Sequence, residues 1–360
     1  MNITAIKKLI PLRLKQHWAA YMGARGFPLP SGKRCFIFLA ADYGNIGDIA
    51  ISHAQKQYLQ RVLTDYEVIS VAISQTRFVL NSIKQQIRET DIVTIIGGGN
   101  MGGTYPDIEE LRQLIIKSFP ANRIVCFPQT LDWNNSDQSQ HALQRIVNVY
   151  AKHPDIHVFA RESITAAKLN ELFSAYSNVH IGLVPDIVMS ANAIALGTTD
   201  CVVPLGILRC LRDDKEAALS AEQYSMIDKA LAATGHTIEK TDTHAGGSQL
   251  NEAQCTKLLT DKLSQFRAAK LVVTDRLHGM ILSLLSGTPC LVLPNSNHKI
   301  RQTQLDWLRN HPRLVFLELD EIADIATFID SLLSVPYGRM DESPVDMAEY
   351  NDLKKALVAI

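Results

Sequence analysis

The chain has 360 residues, enough for about two domains. Hydrophobic residues make up 46% and charged residues 20%, with 14 Pro and 19 Gly, which excludes a disordered, collagenous or low-complexity chain. The formal net charge is −1, from 36 basic against 37 acidic residues, and this argues against a dedicated nucleic-acid binder, which carries a basic excess.

The charge is unevenly placed. Residues 1–41 hold seven basic groups (Lys7, Lys8, Arg13, Lys15, Arg25, Lys33 and Arg34) and no acidic one, so 29 basic groups face 37 acidic ones in the remainder. Ile6, Leu9, Ile10, Leu14 and Trp18 could share an apolar face, although Pro11 interrupts a single regular helix. Two readings stay open for this basic amphipathic segment, 1–33: peripheral contact with an anionic membrane surface, or a solvated helix packed on the domain. No apolar run reaches the roughly 18 residues of a membrane span, and the first 30 residues lack a signal-peptide cleavage pattern. The cysteines at 35, 126, 201, 210, 255 and 290 form no CxxC pair. They read as buried free thiols of a reducing compartment, so a cytoplasmic protein is expected, at most peripheral at the inner face of the plasma membrane.

In chain order, the apolar run 35–40 predicts a buried parallel strand. A glycine turn and a helix over 48–62 follow, then a strand at 67–71 and a helix at 77–88. The strand at 92–96 runs straight into Gly97-Gly98-Gly99. Further units are a helix at 107–118, a strand at 123–127, a helix at 138–151, a strand at 156–159, a helix at 163–173 and a strand at 179–184. Repeated strand–helix units of this kind predict a doubly wound α/β domain over 34–190. Small and polar residues at 190–199 read as a linker. A second α/β domain, 200–335, is expected from strands at 201–208, 271–274, 289–293 and 314–317, with helices at 221–233, 251–268, 278–286, 299–309 and 321–333. The remainder, 336–360, ends in a helix over 345–358 that could pack back on the first domain. Two such domains face each other across a cleft, and ligands in such sheets bind beyond the carboxyl ends of the strands.

The chemistry-bearing residues do follow strands. Asp42-Tyr43-Gly44-Asn45-Ile46-Gly47-Asp48 comes after the first. Its glycines suit a tight turn or close ligand approach, and the next helix could offer free N–H groups to an anion or be capped by Asp48. The spacing is not a dinucleotide fingerprint. Gly97-Gly98-Gly99-Asn100 is either a sharp turn or a backbone surface for substrate, with Asn100 as a polar contact. Gln129 in Pro128-Gln129-Thr130, Arg161 in Ala160-Arg161-Glu162 and Asp186 after Pro185 end three further strands. Arg161 is an anion ligand by type, since a planar guanidinium suits carboxylate or phosphate.

The most pointed cluster is Thr274-Asp275-Arg276-Leu277-His278-Gly279. A buried strand delivers a carboxylate, a guanidinium and an imidazole into four residues, and three such groups are costly to bury without a purpose. Arg276 can bind an anion, His278 can exchange a proton near neutral pH, and Asp275 can orient either. Asn295, His298 and Lys299, and Arg209, Arg212 and Lys215, are weaker cation clusters. His244-Ala245-Gly246-Gly247 reads as a loop without a role. No cluster has metal-ligand spacing, so neither a metal nor a cofactor is expected, and no GxSxG elbow, P-loop or HExxH is present.

These motifs, in this order across about 45–300, resemble the polysaccharide pyruvyl transferase family. The resemblance implies a two-domain fold like that of GT-B glycosyltransferases, phosphoenolpyruvate as co-substrate, and a sugar acceptor, an oligosaccharide or lipid-linked glycan, converted to a cyclic pyruvate ketal with release of phosphate. It implies Arg161, Arg276 and His278 as holders of the donor's carboxylate and phosphate. The expected roles are His278 as acid, Asp48 or Asp275 as base or orienter, and Arg276, Arg161 and Lys299 as clamps, with Asn45, Gly97, Gly98, Gly99, Asn100, Gln129 and Asp186 around the substrate. The competing readings are a glycosyltransferase using a nucleotide sugar, and a non-catalytic sugar- or anion-binding module on the same scaffold.

Overall fold

A computed structural model describes residues 29–198, 206–214 and 216–358. Most of the basic amphipathic segment, most of the expected 201–208 strand, Cys201 and Lys215 lie outside the described residues. The cysteines that are described are free and buried. Among the described residues no helix is long and apolar enough to cross a membrane.

The first unit is built on β1 (Lys33–Ala40), β2 (Tyr43–Asn45), α1 (Ile46–Val62), β3 (Tyr66–Ala72), α2 (Ile73–Gln86), β4 (Ile92–Ile95), β5 (Gly98–Gly102), α3 (Pro106–Ser118), β6 (Ile124–Asp132), α4 (Asp137–Tyr150), β7 (Ile156–Ala160), α5 (Ser163–Phe173) and β8 (Val179–Leu183). Its main sheet runs β3-β1-β4-β6-β7-β8, with β5 added on β6, and the pairings are parallel. Cys35 to Leu39 and Ile92 to Ile95 are buried without alternation, as strands covered by helices on both faces must be. From β1 the chain steps outward to β3 and then returns to β4 on the other side of β1. That reversal opens a crevice at the carboxyl ends of β1 and β4.

The second unit repeats the plan with β9 (Ile207–Cys210), α6 (Ala221–Ala233), β10 (Ile238–Lys240), β11 (His244–Ser248), α7 (Glu252–Arg267), β12 (Leu271–Thr274), α8 (Leu277–Leu285), β13 (Cys290–Val292), α9 (Lys299–Trp307), β14 (Leu314–Phe316) and α10 (Ile325–Leu333). Its parallel sheet runs β10-β9-β12-β13-β14, and its reversal lies between β9 and β12. The two units are Rossmann-like α/β layers whose strand-end crevices face each other. After the second unit, the turn ending at Tyr350 and α11 (Asn351–Val358) return to the first: Tyr350 Oη donates to Asp186 O at 2.8 Å, and Arg123 donates to Ala356 O of α11 at 3.2 Å.

Two local expectations change. His244–Ser248 is a strand, not a roleless loop: β11 pairs antiparallel with β2 and so stitches the second unit to the first. The pairing needs glycine, because a Cβ on Gly44 would lie 1.8 Å from Gly246 O. The glycine run after β4 is itself a strand, β5, made possible by positive φ at Gly98 (122°) and Gly102 (110°). β6 continues through Pro128 to Asp132, with its register to β7 shifting between Cys126 and Gln129. A proline lacks the N–H that a regular ladder needs, and the shift accommodates it.

Candidate active site

A cavity of about 340 Å³ lies where the two crevices meet. The first unit contributes Tyr43, Asn45 and Asp48 after β1, Gly99 and Asn100 from β5, and Arg161 after β7. The second contributes Arg212 and Glu216 after β9, Thr243 and His244 after β10, Arg276, Leu277 and His278 after β12, and Lys299 after β13. Each charged group is thus delivered by the end of a parallel strand.

Asn45, not Asp48, caps α1. Its Oδ1 accepts from the N–H of Gly47 at 3.0 Å and of Asp48 at 3.4 Å, while Ile46 N–H donates to Thr243 O at 2.8 Å. The first N–H groups of α1 are therefore used within the protein rather than offered to an anion. Asp48 is left to face the cavity, where Tyr43 Oη donates to its Oδ2 at 2.9 Å. Burial raises the Asp48 carboxyl above its ordinary value, with His278, Tyr43 and Arg161 opposing. The N-terminus of α8 differs: it starts at Leu277 with no side-chain cap, and its positive dipole end meets the cavity beside Arg276 and His278.

Asp186 is the hub behind the cavity wall. It is 1% exposed; its Oδ2 accepts from Arg161 Nη1 at 2.7 Å and lies 3.5 Å from His278 Nε2, and its Oδ1 accepts from Val188 N–H at 3.0 Å. Burial disfavours its charge, yet His278, Arg161 and the Val188 amide outweigh burial and hold the carboxyl well below the usual range. At 3.5 Å the His278 contact is longer than a good hydrogen bond. On the other side of the ring, a Cβ on Gly47 would come within 2.3 Å of His278 Nδ1, so glycine at 47 makes room for the imidazole.

The remaining cations are held by acids. Arg161 also donates from Nε to Thr130 Oγ1 at 2.7 Å. Arg276 Nη2 donates to Asp242 Oδ2 at 2.9 Å, and its buried Nε has no protein partner. Arg212 pairs with Asp214 at 2.8 Å and with Glu216 Oε2 at 2.8 Å, and the same Glu216 oxygen accepts from Lys299 Nζ at 2.8 Å. Burial lowers the Lys299 ammonium from its ordinary value, with Glu216 opposing. Such pairing fixes the direction of each long side chain before a ligand arrives, while guanidinium donors remain over for an anion.

Of the thirteen residues expected around the reaction, eight border the cavity, Asn45, Asp48, Gly99, Asn100, Arg161, Arg276, His278 and Lys299, and Arg212 of the weaker cation clusters joins them. The other five do not. Gly97 and Gly98 shape the strand end: a Cβ on Gly97 would lie 2.8 Å from Pro128 O. Gln129 is fully buried, with its amide bonded to Ile96 O. Asp186 acts only through Arg161 and His278. Asp275 lies behind the wall, its Oδ1 accepting from Arg212 N–H at 2.8 Å and its Oδ2 without a partner. Sequence reading left out Tyr43, Tyr105, Glu216, Thr243 and His244. Tyr43 lay inside a quoted motif and His244 in the segment read as a roleless loop; the other three carry no local signal, because only the fold brings their loops to the cleft.

Residues 45–297 match the family model described as polysaccharide pyruvyl transferase. General stress protein 30 of Bacillus subtilis is 30% identical over 317 residues, covering 86% of this chain and 88% of that protein. Pyruvyl transferase 1 of Schizosaccharomyces pombe is 28% identical over 308 residues, covering 82% of this chain and 73% of that protein. Among solved structures, UDP-GlcNAc 2-epimerase from Neisseria meningitidis, bound to UDP-GlcNAc, superposes with a TM-score of 0.51 at 11% identity, covering 91% of this chain and all of that one; at that identity the likeness concerns the GT-B-type fold alone. The family match spans well over half of the chain and takes in the cleft from Asn45 through His278, leaving only Tyr43 and Lys299 of the lining just outside its ends, so the chain belongs to the polysaccharide pyruvyl transferase family.

Proposed function

We propose that the protein transfers the pyruvyl group of phosphoenolpyruvate to two hydroxyls of one sugar, closing a cyclic ketal and releasing phosphate. The observation that carries this reading is the convergence of Arg161, Arg212, Arg276 and Lys299 with the imidazole of His278 on one cavity of about 340 Å³. A donor carrying a carboxylate and a phosphate on three carbons needs several cations at short range, and the cavity is at the small end of the roughly 300–1,000 Å³ usual for small-ligand clefts.

In this reading the guanidiniums of Arg161 and Arg276, the α8 N-terminus and Lys299 hold the carboxylate and phosphate. His278 gives a proton to the enol methylene, leaving an oxocarbenium-like centre at the adjacent carbon. A sugar hydroxyl bonds to that centre as Asp48, nearer the cavity than Asp275, takes its proton. The second hydroxyl then bonds to the same carbon as the carbon–oxygen bond to phosphate breaks. Of the two hydroxyl protons, one replaces that lost by His278 and the other leaves on the phosphate, so the sum balances without a redox partner. The acceptor is a sugar of a polysaccharide or its precursor, as the family description supports.

The test is phosphate release from phosphoenolpyruvate in the presence of a panel of sugars and lipid-linked glycans, with nucleotide sugars as a parallel arm. Phosphate appearing only with phosphoenolpyruvate and an acceptor is the expected result. Release of nucleoside diphosphate from a nucleotide sugar, with no turnover of phosphoenolpyruvate, would overturn the reading.

A further inference from the structure

Asp155, His157 and His180 meet on the first unit, and none of them borders the cleft cavity. β7 and β8 run parallel with His157 opposite His180 on one face, and Asp155, in the bend just before β7, turns its carboxylate to the His157 ring. The imidazole centroids are 4.6 Å apart with planes inclined by 26°. His157 Nε2 is 3.1 Å from Asp155 Oδ1, and one ligand atom from each residue lies within 4.8 Å of the other two. A cavity of about 300 Å³ opens beside the histidines and is walled on its far side by Asp352, Lys355 and Ala356 of α11.

We propose that Asp155, His157 and His180 form a binding site for a divalent transition-metal ion of the Zn²⁺ type. Two imidazoles and one carboxylate are a zinc-like donor set, whereas Mg²⁺ and Ca²⁺ take oxygen ligands. The Asp155 carboxylate is already oriented for ligation. Arg123 Nε donates to its Oδ2 at 2.7 Å, leaving Oδ1 on the histidine side, and an outer partner of this kind steadies a ligating carboxylate. Asp352 places a second carboxylate on the wall of the same cavity, its Oδ1 accepting from Lys355 Nζ at 2.8 Å. Arg123 and Lys355 balance the two carboxylates, so the site is near neutral before the ion arrives. The ion would sit at the β7–β8 edge of the first sheet, in the cavity that Asp352, Lys355 and Ala356 of α11 also line.

Isothermal titration of chelator-treated full-length protein with ZnCl₂ and, separately, MgCl₂ tests this, alongside the H157A/H180A variant. The expected result is one Zn²⁺ bound with a micromolar Kd, at least tenfold weaker in the double variant, and no Mg²⁺ binding. Wild-type protein that does not bind Zn²⁺, or a double variant that binds it equally well, would overturn the site. Should the double variant not fold, His180→Gln alone, at an exposed position, must still weaken Zn²⁺ tenfold, and unchanged affinity there overturns it equally.

Discussion

His278 lies between a deep carboxylate and the helix start that makes room for it. Asp186 faces its Nε2, and Asp48 shares the same field. A group placed this way should act on the barrier and not on donor affinity. His278→Gln keeps the side chain's bulk and polarity but cannot pass a proton, so kcat should fall by roughly 10²–10⁴-fold while phosphoenolpyruvate binding, read by calorimetry, changes little. Turnover close to wild type would remove His278 from the chemistry. Asp275 calls for a different experiment. Burial pushes its carboxyl up to about 6, above the unfolded value, so its contribution to stability is fully present below about pH 4 and is lost as pH rises through 6. Keeping it ionised at pH 7 costs up to about 3 kcal/mol. Asp275→Asn retains an acceptor for Arg212 N–H and removes the titration. Its stability relative to wild type, from denaturant unfolding, should therefore rise between pH 4 and pH 7, and a pH-independent difference would contradict this.

Single elements place these side chains, and glycine sets how closely they approach. Gly47 is in the first turn of α1, where alanine would favour the helix by up to about 1 kcal/mol. Its Cβ, however, would meet His278 Nδ1 at 2.3 Å. Gly47→Ala should therefore leave the melting temperature near wild type yet lower kcat at least tenfold, and full activity would show that the imidazole has another place to sit. The elements also show which parts of the fold are legible in sequence. Buried parallel strands such as Cys35-Phe36-Ile37-Phe38-Leu39 announce themselves by apolar runs, and the site residues follow because α/β chemistry gathers at strand ends. β5 and β11 are invisible by the same logic. Gly98-Gly99-Asn100-Met101 and His244-Ala245-Gly246-Gly247 carry one apolar side chain each, too few to alternate, and what makes them strands is a partner: β6 for one, β2 for the other. Arg212 and Glu216 follow a weakly patterned strand, and their place in the cleft depends on β9 lying at the sheet's reversal.

Across the whole molecule the two units are less separate than the strand–helix pattern suggests. The second sheet alternates between two cores. Ile207, Leu271, Val273 and Leu291 face α6 and α10 in a core of their own, whereas Leu208, Val272, Cys290 and Val292 join the first unit's core. Cys255, Leu259, Leu263 and Phe266 of α7 lie in that shared core too, and His53 of α1 reaches Thr256 of α7 at 3.0 Å. The β2–β11 pair and the Ile46–Thr243 bond cross the same boundary. Domains joined by small polar interfaces are expected to move independently, but a shared apolar core ties their unfolding together. The protein should therefore melt in one calorimetric transition whose van't Hoff and calorimetric enthalpies agree, and its solution scattering profile should change little when phosphoenolpyruvate is added. Two resolved transitions, or a marked contraction with donor, would mean that the shared core yields at the boundary and that the cleft closes on its substrate instead of standing ready for it.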